Sequence, residues 1–335
     1  MKRYVITIDT GTTNTRTLLW DEDGQAVGME RASVGVRDTA KDGNNKRLSE
    51  AVKGCLETLL KKHGISYDDV ESIVASGMIT SNVGLVEISH CTAPVGKKEL
   101  ADAIKPVLLE DICPLPIWFI PGVKNSDGDI TLENFEAMDI MRGEEVESIS
   151  LIEEFGPGKK YLLILPGSHT KFVAINEAGR IEGCLTTLSG ELLSLIINET
   201  IIADAVGRSY VTNETYDTDM VLKGYSAAKK TGTGRACFSA RILNQFTVKD
   251  KQKVANYIYG VVIQNDIFAV LNTSAIKVDL NATVIIGGNN TYCRAVFDIL
   301  ESEHIFKDII SCTSADGVPF SAKGAYVISK ERHLS

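Results

Sequence analysis

Two kinds of apolar pattern alternate along the chain. Tyr4 to Ile8 is a β-branched run, Asp9 to Asn14 is small and polar, and Arg16 to Trp20 is apolar again before Asp23-Gly24, which predicts a β-hairpin with a hydroxyl-rich turn. From Ser49 to His63 the apolar positions Ala51, Val52, Cys55, Leu56, Leu59 and Leu60 recur at helical spacing and stop at Gly64. Val70 to Ala75 and Ile117 to Ile120 return to a strand pattern, and Arg142 to Phe155 reads as a helix with acids in its first turn. Strands alternating with helices predict an α/β domain.

Phe155-Gly156-Pro157-Gly158 interrupts the pattern and sets the expected boundary between a first domain, 1–156, and a second, 157–335. Beyond it Tyr161 to Leu165 is a strand, PGSHTK (166–171) a small polar turn and Phe172 to Ile175 a second strand. Strand, hydroxyl-rich glycine turn, strand thus occurs near the start of each half, a duplication of architecture rather than of sequence. Helices are predicted over Gly190–Ala205, Val254–Leu271 and Tyr292–Glu303, and the strand Ala282–Ile286 runs into Gly287-Gly288-Asn289.

At 335 residues the chain exceeds the roughly 250–300 that one core supports, in keeping with two domains. Hydrophobic residues at 44% and charged residues at 24% exclude disordered, collagen-like and coiled-coil classes. Against 35 Lys and Arg stand 44 Asp and Glu, a net charge of −9 with no basic block, so nucleic acid is excluded as a partner and a small anion would need a local basic site. Seven scattered cysteines without a C-x-x-C pair argue against a disulfide framework or structural zinc. No export signal pattern and no apolar stretch near the ~20 residues of a membrane span are seen, so the cytosol is the expected compartment.

The chemistry concentrates in the two turns. In DTGTTNTR (9–16), Asp9 at a strand end suits a metal ion, while Gly11, Thr12, Thr13 and Asn14 can present amides and side chains to phosphate oxygens. The plainer account is a turn whose Asp, Thr and Asn cap their own backbone. The second turn shifts the balance: Gly167, Ser168, His169, Thr170 and Lys171 would let two facing hairpins clamp the β- and γ-phosphates of a nucleotide. No Walker G-x-x-x-x-G-K-[ST] and no G-x-G-x-x-G after an early strand is present. The GTG at 232–234 lacks a preceding strand and reads as a loop, with Arg241 in the next helix the better anion contact. Gly287, Gly288 and Asn289 would let a base or ribose approach the backbone. MRGEE (141–145) puts Arg142, Glu144 and Glu145 at a helix start, where acids also answer the helix dipole but the arginine asks for an anion. In SGEL (189–192) Glu191 is a candidate substrate contact as well as compatible with a simple cap, and His169 has no second ligand at metal spacing.

Two glycine/hydroxyl hairpins followed by a strand–Gly-Gly–helix unit give the order of elements in the superfamily of acetate kinase, sugar kinases, heat-shock ATPases and actin. Within it the chain resembles the 2-dehydro-3-deoxygalactonokinase family in DTGTTNTR (9–16), ASGMITSNVG (75–84), Ile120-Pro121-Gly122, MRGEE (141–145), PGSHTKF (166–172) and SGEL (189–192), nearly end to end. It departs in Phe172, Ser189 and the absence of an aspartate opening the second turn. The resemblance implies two ribonuclease-H-like domains with five-stranded mixed sheets, the actin-like ATPase fold, and a cleft between them. It implies phosphorylation of the 6-hydroxyl of 2-dehydro-3-deoxy-D-galactonate by ATP with Mg²⁺, in galactonate breakdown. It makes Glu144 the expected catalytic base, with Glu145 and Asp139 behind it, and Ser76, Gly77, Ser81 and Asn82 the expected sugar contacts. Arg16, Arg142, Lys171 and Arg241 are the cations expected to serve ATP and a sugar carboxylate, and a homodimer is compatible with all of this. The competing expectations are a kinase of another sugar, such as an N-acetylhexosamine, and a non-metabolic actin-like ATPase.

Overall fold

A computed structural model describes residues 3–314 and 317–332. The first half contains β1 (Tyr4–Thr10), β2 (Thr15–Trp20), β3 (Ala26–Ala32), α1 (Val36–Asp42), α2 (Lys46–His63), β4 (Val70–Gly77), β5 (Cys91–Thr92), α3 (Lys97–Ala103), β6 (Lys105–Val107), β7 (Ile117–Phe119), β8 (Val123–Lys124) and β9 (Ile140–Met141). After α4 (Glu144–Phe155) come β10 (Tyr161–Leu165), β11 (Thr170–Ile175), β12 (Ile181–Thr187), α5 (Ser189–Glu199), α6 (Thr218–Thr231), α7 (Thr233–Phe246), α8 (Lys251–Asn272), β13 (Thr283–Gly287), α9 (Thr291–Glu303), β14 (Ile309–Cys312) and α10 (Phe320–Arg332).

The duplication expected from the two hairpins is real at the level of topology. One sheet runs β3-β2-β1-β4-β7-β6 and the other β12-β11-β10-β13-β14. In each, an antiparallel meander is extended by parallel strands, β4 and β7 beside β1, β13 and β14 beside β10. The first sheet has six strands rather than the expected five, because Lys105–Val107 adds an antiparallel edge to β7. The central parallel strands are covered on both faces, which is why they read as continuous apolar runs.

Leu48, Val52, Leu56 and Leu59 of α2 pack on Ile6, Ile8, Ile73 and Ile117 on one face of the first sheet. Alternation along β10 and β11 sorts the second sheet: Leu162, Ile164, Phe172 and Ala174 meet α5, α6, α8 and α9, while Leu163, Leu165, Val173 and Ile175 face the first half. That inner face shares a core with Val74, Val146, Ile149, Ala325 and Ile328, so α4 and α10 lie between the two sheets. The last helix therefore returns from the second half to pack on α3, α4, β1 and β4.

Two helices depart from the expected bounds, one through a side chain and one through a glycine. The helix expected to run to Ala205 stops at Glu199, since Thr200 Oγ1 donates to the Ile196 carbonyl and accepts from the Ile202 amide. The expected loop at 232–234 is instead a one-residue break: Gly232, with φ +77, separates α6 from α7. Helix α8 is the one helix among the described residues long and apolar enough to cross a membrane, and 72% of that apolar window is buried inside the protein. All seven cysteines are unpaired.

Candidate functional site

The first hairpin ends β1 with Asp9 paired across to Arg16 and Thr10 to Thr15. Its turn is closed by Gly11 N–H donating to the Asn14 carbonyl at 2.9 Å, and the start of α1 supports it from behind, with Val36 and Arg37 amides donating to the Gly11 and Thr12 carbonyls. Gly11 to Asn14 keep their outer surface free, as a phosphate cradle requires. Asp9 accepts from Ser321 Oγ of α10 at 3.0 Å and lies 3.6 Å from the Arg16 guanidinium. Burial raises its pKa against the opposing pull of Ser321 and Arg16.

Beside Asp9, β4 ends in a tight approach. A Cβ on Gly77 would sit 2.7 Å from the Thr10 carbonyl and 3.0 Å from Asp9 Oδ1, and its φ of +84 also demands glycine. Helix α4 begins beside it: a Cβ on Gly143, which precedes the helix, would lie 3.4 Å from Gly77 Cα. Glu144 opens the helix with Oε2 shut off from solvent and without a partner, and burial raises its pKa against the nearby Lys171 charge. Its neighbour Glu145 points the other way: it is 0% exposed, its Oε2 accepts from the Gly143 amide at 2.7 Å, and burial followed by repulsion from Glu144 pushes its pKa well up. Glu145 therefore braces the helix start and cannot touch a sugar. One turn on, Glu147 shares the Glu144 side; burial, Glu144 and Asp9 together raise it to about 8 against Arg16.

The second hairpin has its turn roofed by α5. A Cβ on Gly190 would lie 2.2 Å from the Gly167 carbonyl, so only glycine lets the helix start sit there, and the Glu191 amide donates to the Ser168 carbonyl at 3.1 Å. Buried Asp266 of α8 takes hydrogen bonds from Ser189 and Tyr292, tying this helix start to α9. Thr170 is buried in the sheet rather than facing the turn surface.

Two cavities flank these elements. One of about 480 Å³ is lined by Gly167, Ser168, Gly190, Glu191, Thr291 and Tyr292, with Arg37 from the first half. The other, about 310 Å³, is lined by Ser81, Asn82, His90, Arg142, Glu144 and Lys171 among others, with His169 at its edge. His169 Nε2 lies 3.1 Å from Glu191 Oε1, so this pair stands at the divide between them.

Of the expected residues, Ser81, Asn82, Arg142, Glu144 and His169 line the smaller cavity and Gly167, Ser168 and Glu191 the larger, while others are placed otherwise than expected. Lys171 belongs to the smaller cavity rather than the phosphate turn: its ammonium donates to the Ile140 carbonyl at 2.8 Å and to Thr186 Oγ1 at 2.6 Å. Asp139 is no reserve base, because it accepts from the Thr186 amide and hydroxyl and straps β9 to β12. Ser76 is fully buried within β4. Asn290, Thr291 and Tyr292, not Gly287 to Asn289, reach the larger cavity; the Gly288 amide instead extends the pairing of β13 with β14 by donating to the Cys312 carbonyl. Arg241 lines neither cavity; its charge is felt by Asp204, beyond the end of α5. Sequence reasoning missed His90, Glu147 and Ser321. Helical spacing from Glu144 was a signal for Glu147, whereas nothing local marks the other two.

Two sheets of one topology, a hydroxyl-rich hairpin from each and a carboxylate at the helix start between them define an actin-like ATPase fold of the kind sugar kinases use. The chain belongs to the 2-keto-3-deoxy-galactonokinase family, whose model matches residues 9–315. A curated Rhizobium meliloti protein, Probable 2-dehydro-3-deoxygalactonokinase DgoK1, is 27% identical over 208 residues; the match takes in 62% of this chain and spans 60% of that relative's length. A Sinorhizobium meliloti crystal structure assigned to 2-dehydro-3-deoxygalactonokinase shares the fold with a TM-score of 0.76 at 21% identity, covering 98% of both chains. A Porphyromonas gingivalis structure assigned to N-acetylglucosamine kinase shares it at a TM-score of 0.50 and 9% identity, covering 98% of this chain and 100% of that one.

Proposed function

We propose that the chain transfers the γ-phosphoryl group of ATP to the terminal 6-hydroxyl of 2-dehydro-3-deoxy-D-galactonate. Family membership supports the substrate class, and one observation carries the chemistry: Glu144 lines the cavity that His169 borders, with one carboxylate oxygen, Oε2, buried and free of any hydrogen bond that would tie the side chain up. In this reading the larger cavity takes the nucleoside, with Ser168 and the first turn, Gly11 to Asn14, holding the phosphates, and the smaller cavity takes the sugar acid. The first half then carries sugar and one phosphate cradle, and the second, from about residue 157, carries the nucleotide, with α10 lent back to support Asp9.

Phosphoryl transfer depends on positioning and charge neutralisation more than on covalent help. Glu144 accepts the proton of the attacking hydroxyl, and burial raises its pKa above the ordinary carboxylate value, which makes it a stronger base. The donor chemistry suits Mg²⁺, a hard cation that takes carboxylate oxygens: Asp9, Glu144 and Glu147 supply such oxygens, and burial raises the pKa of all three. No cluster of three metal-ligating side chains exists among the described residues, so Asp9, with Glu147 nearby, would hold the ion that ATP brings. That ion supplies neutralisation of phosphate charge. The amino-sugar alternative is disfavoured by Arg142 and Lys171 in the sugar cavity, which a neutral amide substrate would leave unused.

ADP release from Mg-ATP tests the reading. It should appear with 2-dehydro-3-deoxy-D-galactonate and not with galactose or N-acetylglucosamine, and Glu144→Gln should lower kcat about 10²–10⁴-fold with the KM for ATP little changed. An unstimulated wild-type chain would sink the assignment, and an unchanged kcat would remove Glu144 from the role.

A further inference from the structure

The smaller cavity holds a polar group that phosphoryl transfer leaves idle. His90, in the stretch between β4 and β5, lines it together with Arg142 and Lys171. The two nitrogens of its ring have separate fates. Nδ1 lies 3.4 Å from a terminal nitrogen of Arg142. A guanidinium only donates, so Nδ1 accepts and the ring hydrogen sits on Nε2. Nε2 is buried and has no partner in the protein. The ring also stays neutral, because burial and then the charges of Arg142 and Lys124 push its pKa down to about 4.

Arg142 is in a matching condition. Its terminal nitrogens donate to Thr80 Oγ1 at 2.7 Å and to the Ile88 carbonyl at 2.6 Å, both neutral acceptors. Lys171 likewise meets only a carbonyl and a hydroxyl. Glu87 and Glu144 line the same cavity, yet among the described residues neither forms an ion pair with Arg142 or Lys171. A half-buried cation held by neutral oxygens, next to a buried N–H with no acceptor, is a site completed by an incoming anion.

We infer that His90 and Arg142 together read the α-keto carboxylate end of the substrate, the guanidinium taking the charge and the Nε2–H donating to an oxygen of that group. The cavity is then polarised along its length, with the anionic end at His90 and Arg142 and the reacting hydroxyl at Glu144. This rests on the sugar-acid reading and adds the residues that make the site prefer an acid to a neutral ketose of the same shape. His90 is a specificity residue, since it touches no transferring atom.

Calorimetric titration without nucleotide separates this inference from the reaction. The ligands are 2-dehydro-3-deoxy-D-galactonate and the neutral 3-deoxy-ketohexose in which a hydroxymethyl group replaces the carboxylate. His90→Phe should weaken acid binding about 10-fold or more and change ketose binding less than about 2-fold, the loss expected of one hydrogen bond to a charged group. His90→Asn keeps an acceptor for Arg142 but withdraws the Nε2 donor, and should show the same selective loss. His90→Gln restores an N–H at similar reach and should stay within about 3-fold of wild type. Unchanged acid binding in the Asn and Phe variants, or equal loss for both ligands, overturns the inference. A wild-type chain that binds the acid selectively through His90 but never phosphorylates it would refute the kinase reading and leave this one standing; brisk turnover indifferent to His90 would do the reverse.

Discussion

The two hairpins that open the two halves share a pattern and differ in where they send their charge. In the first, the charge precedes the turn: Asp9 ends β1, is gripped by Ser321 from the last helix and stays beside the cradle it adjoins. In the second, the charge follows the turn, and Lys171 leaves the turn altogether to cross toward β9 and the smaller cavity. Strand parity explains the difference. Phe172 and Ala174 face the outer helices, so Lys171 shares the opposite face with Val173 and Ile175 and must point at the first half. One local grammar thus yields two backbone cradles, while the flanking charged residue is assigned by the sheet to one cavity or the other.

The contrast can be broken experimentally, beginning with its strongest consequence. Asp9→Asn should lower kcat by about 10²–10³-fold while the KM for the sugar acid moves less than about 2-fold, as expected for loss of a charge that acts on the transferring group. Lys171→Met should do the converse, raising the sugar-acid KM about 10-fold and the ATP KM less than about 2-fold. If Lys171→Met instead spoiled ATP binding, the second hairpin would resemble the first after all.

The smallest effect concerns the acidic side of the cleft. Glu147 binds its proton more tightly in the folded protein, with a pKa near 8 against an ordinary 4.5. Its presence therefore costs stability progressively as pH rises between those values. Glu147→Gln should melt about 2–5 °C above wild type at pH 8.5 without nucleotide and at the same temperature near pH 4.5. Mg-ATP should narrow the difference; a gap that persisted at pH 4.5 would assign it to packing instead.

What the amino-acid pattern disclosed and withheld follows from this same parity. The strands, the hairpins and the helix starting at MRGEE were legible because period-two and period-3.6 patterns are local. The duplicated topology was legible from the paired turns. Glu145 was placed in the site by adjacency, but successive residues on a helix point about 100° apart, so Glu145 is buried and Glu147 takes the place beside Glu144. Ser321 and His90 were invisible for a different reason. They reach the site through packing of α10 and through a loop without periodicity, and only the assembled fold brings residue 321 to residue 9. Arg241 misled because a lone cation near a glycine pair looks the same whether it faces a cleft or an outer helix surface.

The position of the phosphate on the product tests the polarised cleft most directly. Phosphorus-coupled carbon NMR of the sugar acid after turnover by wild-type chain should show the phosphate on C6, the end farthest from the carboxylate held by Arg142 and His90. Phosphate on the carboxylate or on an internal hydroxyl would contradict the account, because Glu144 and the anion-reading pair would then not stand at opposite ends of the bound molecule.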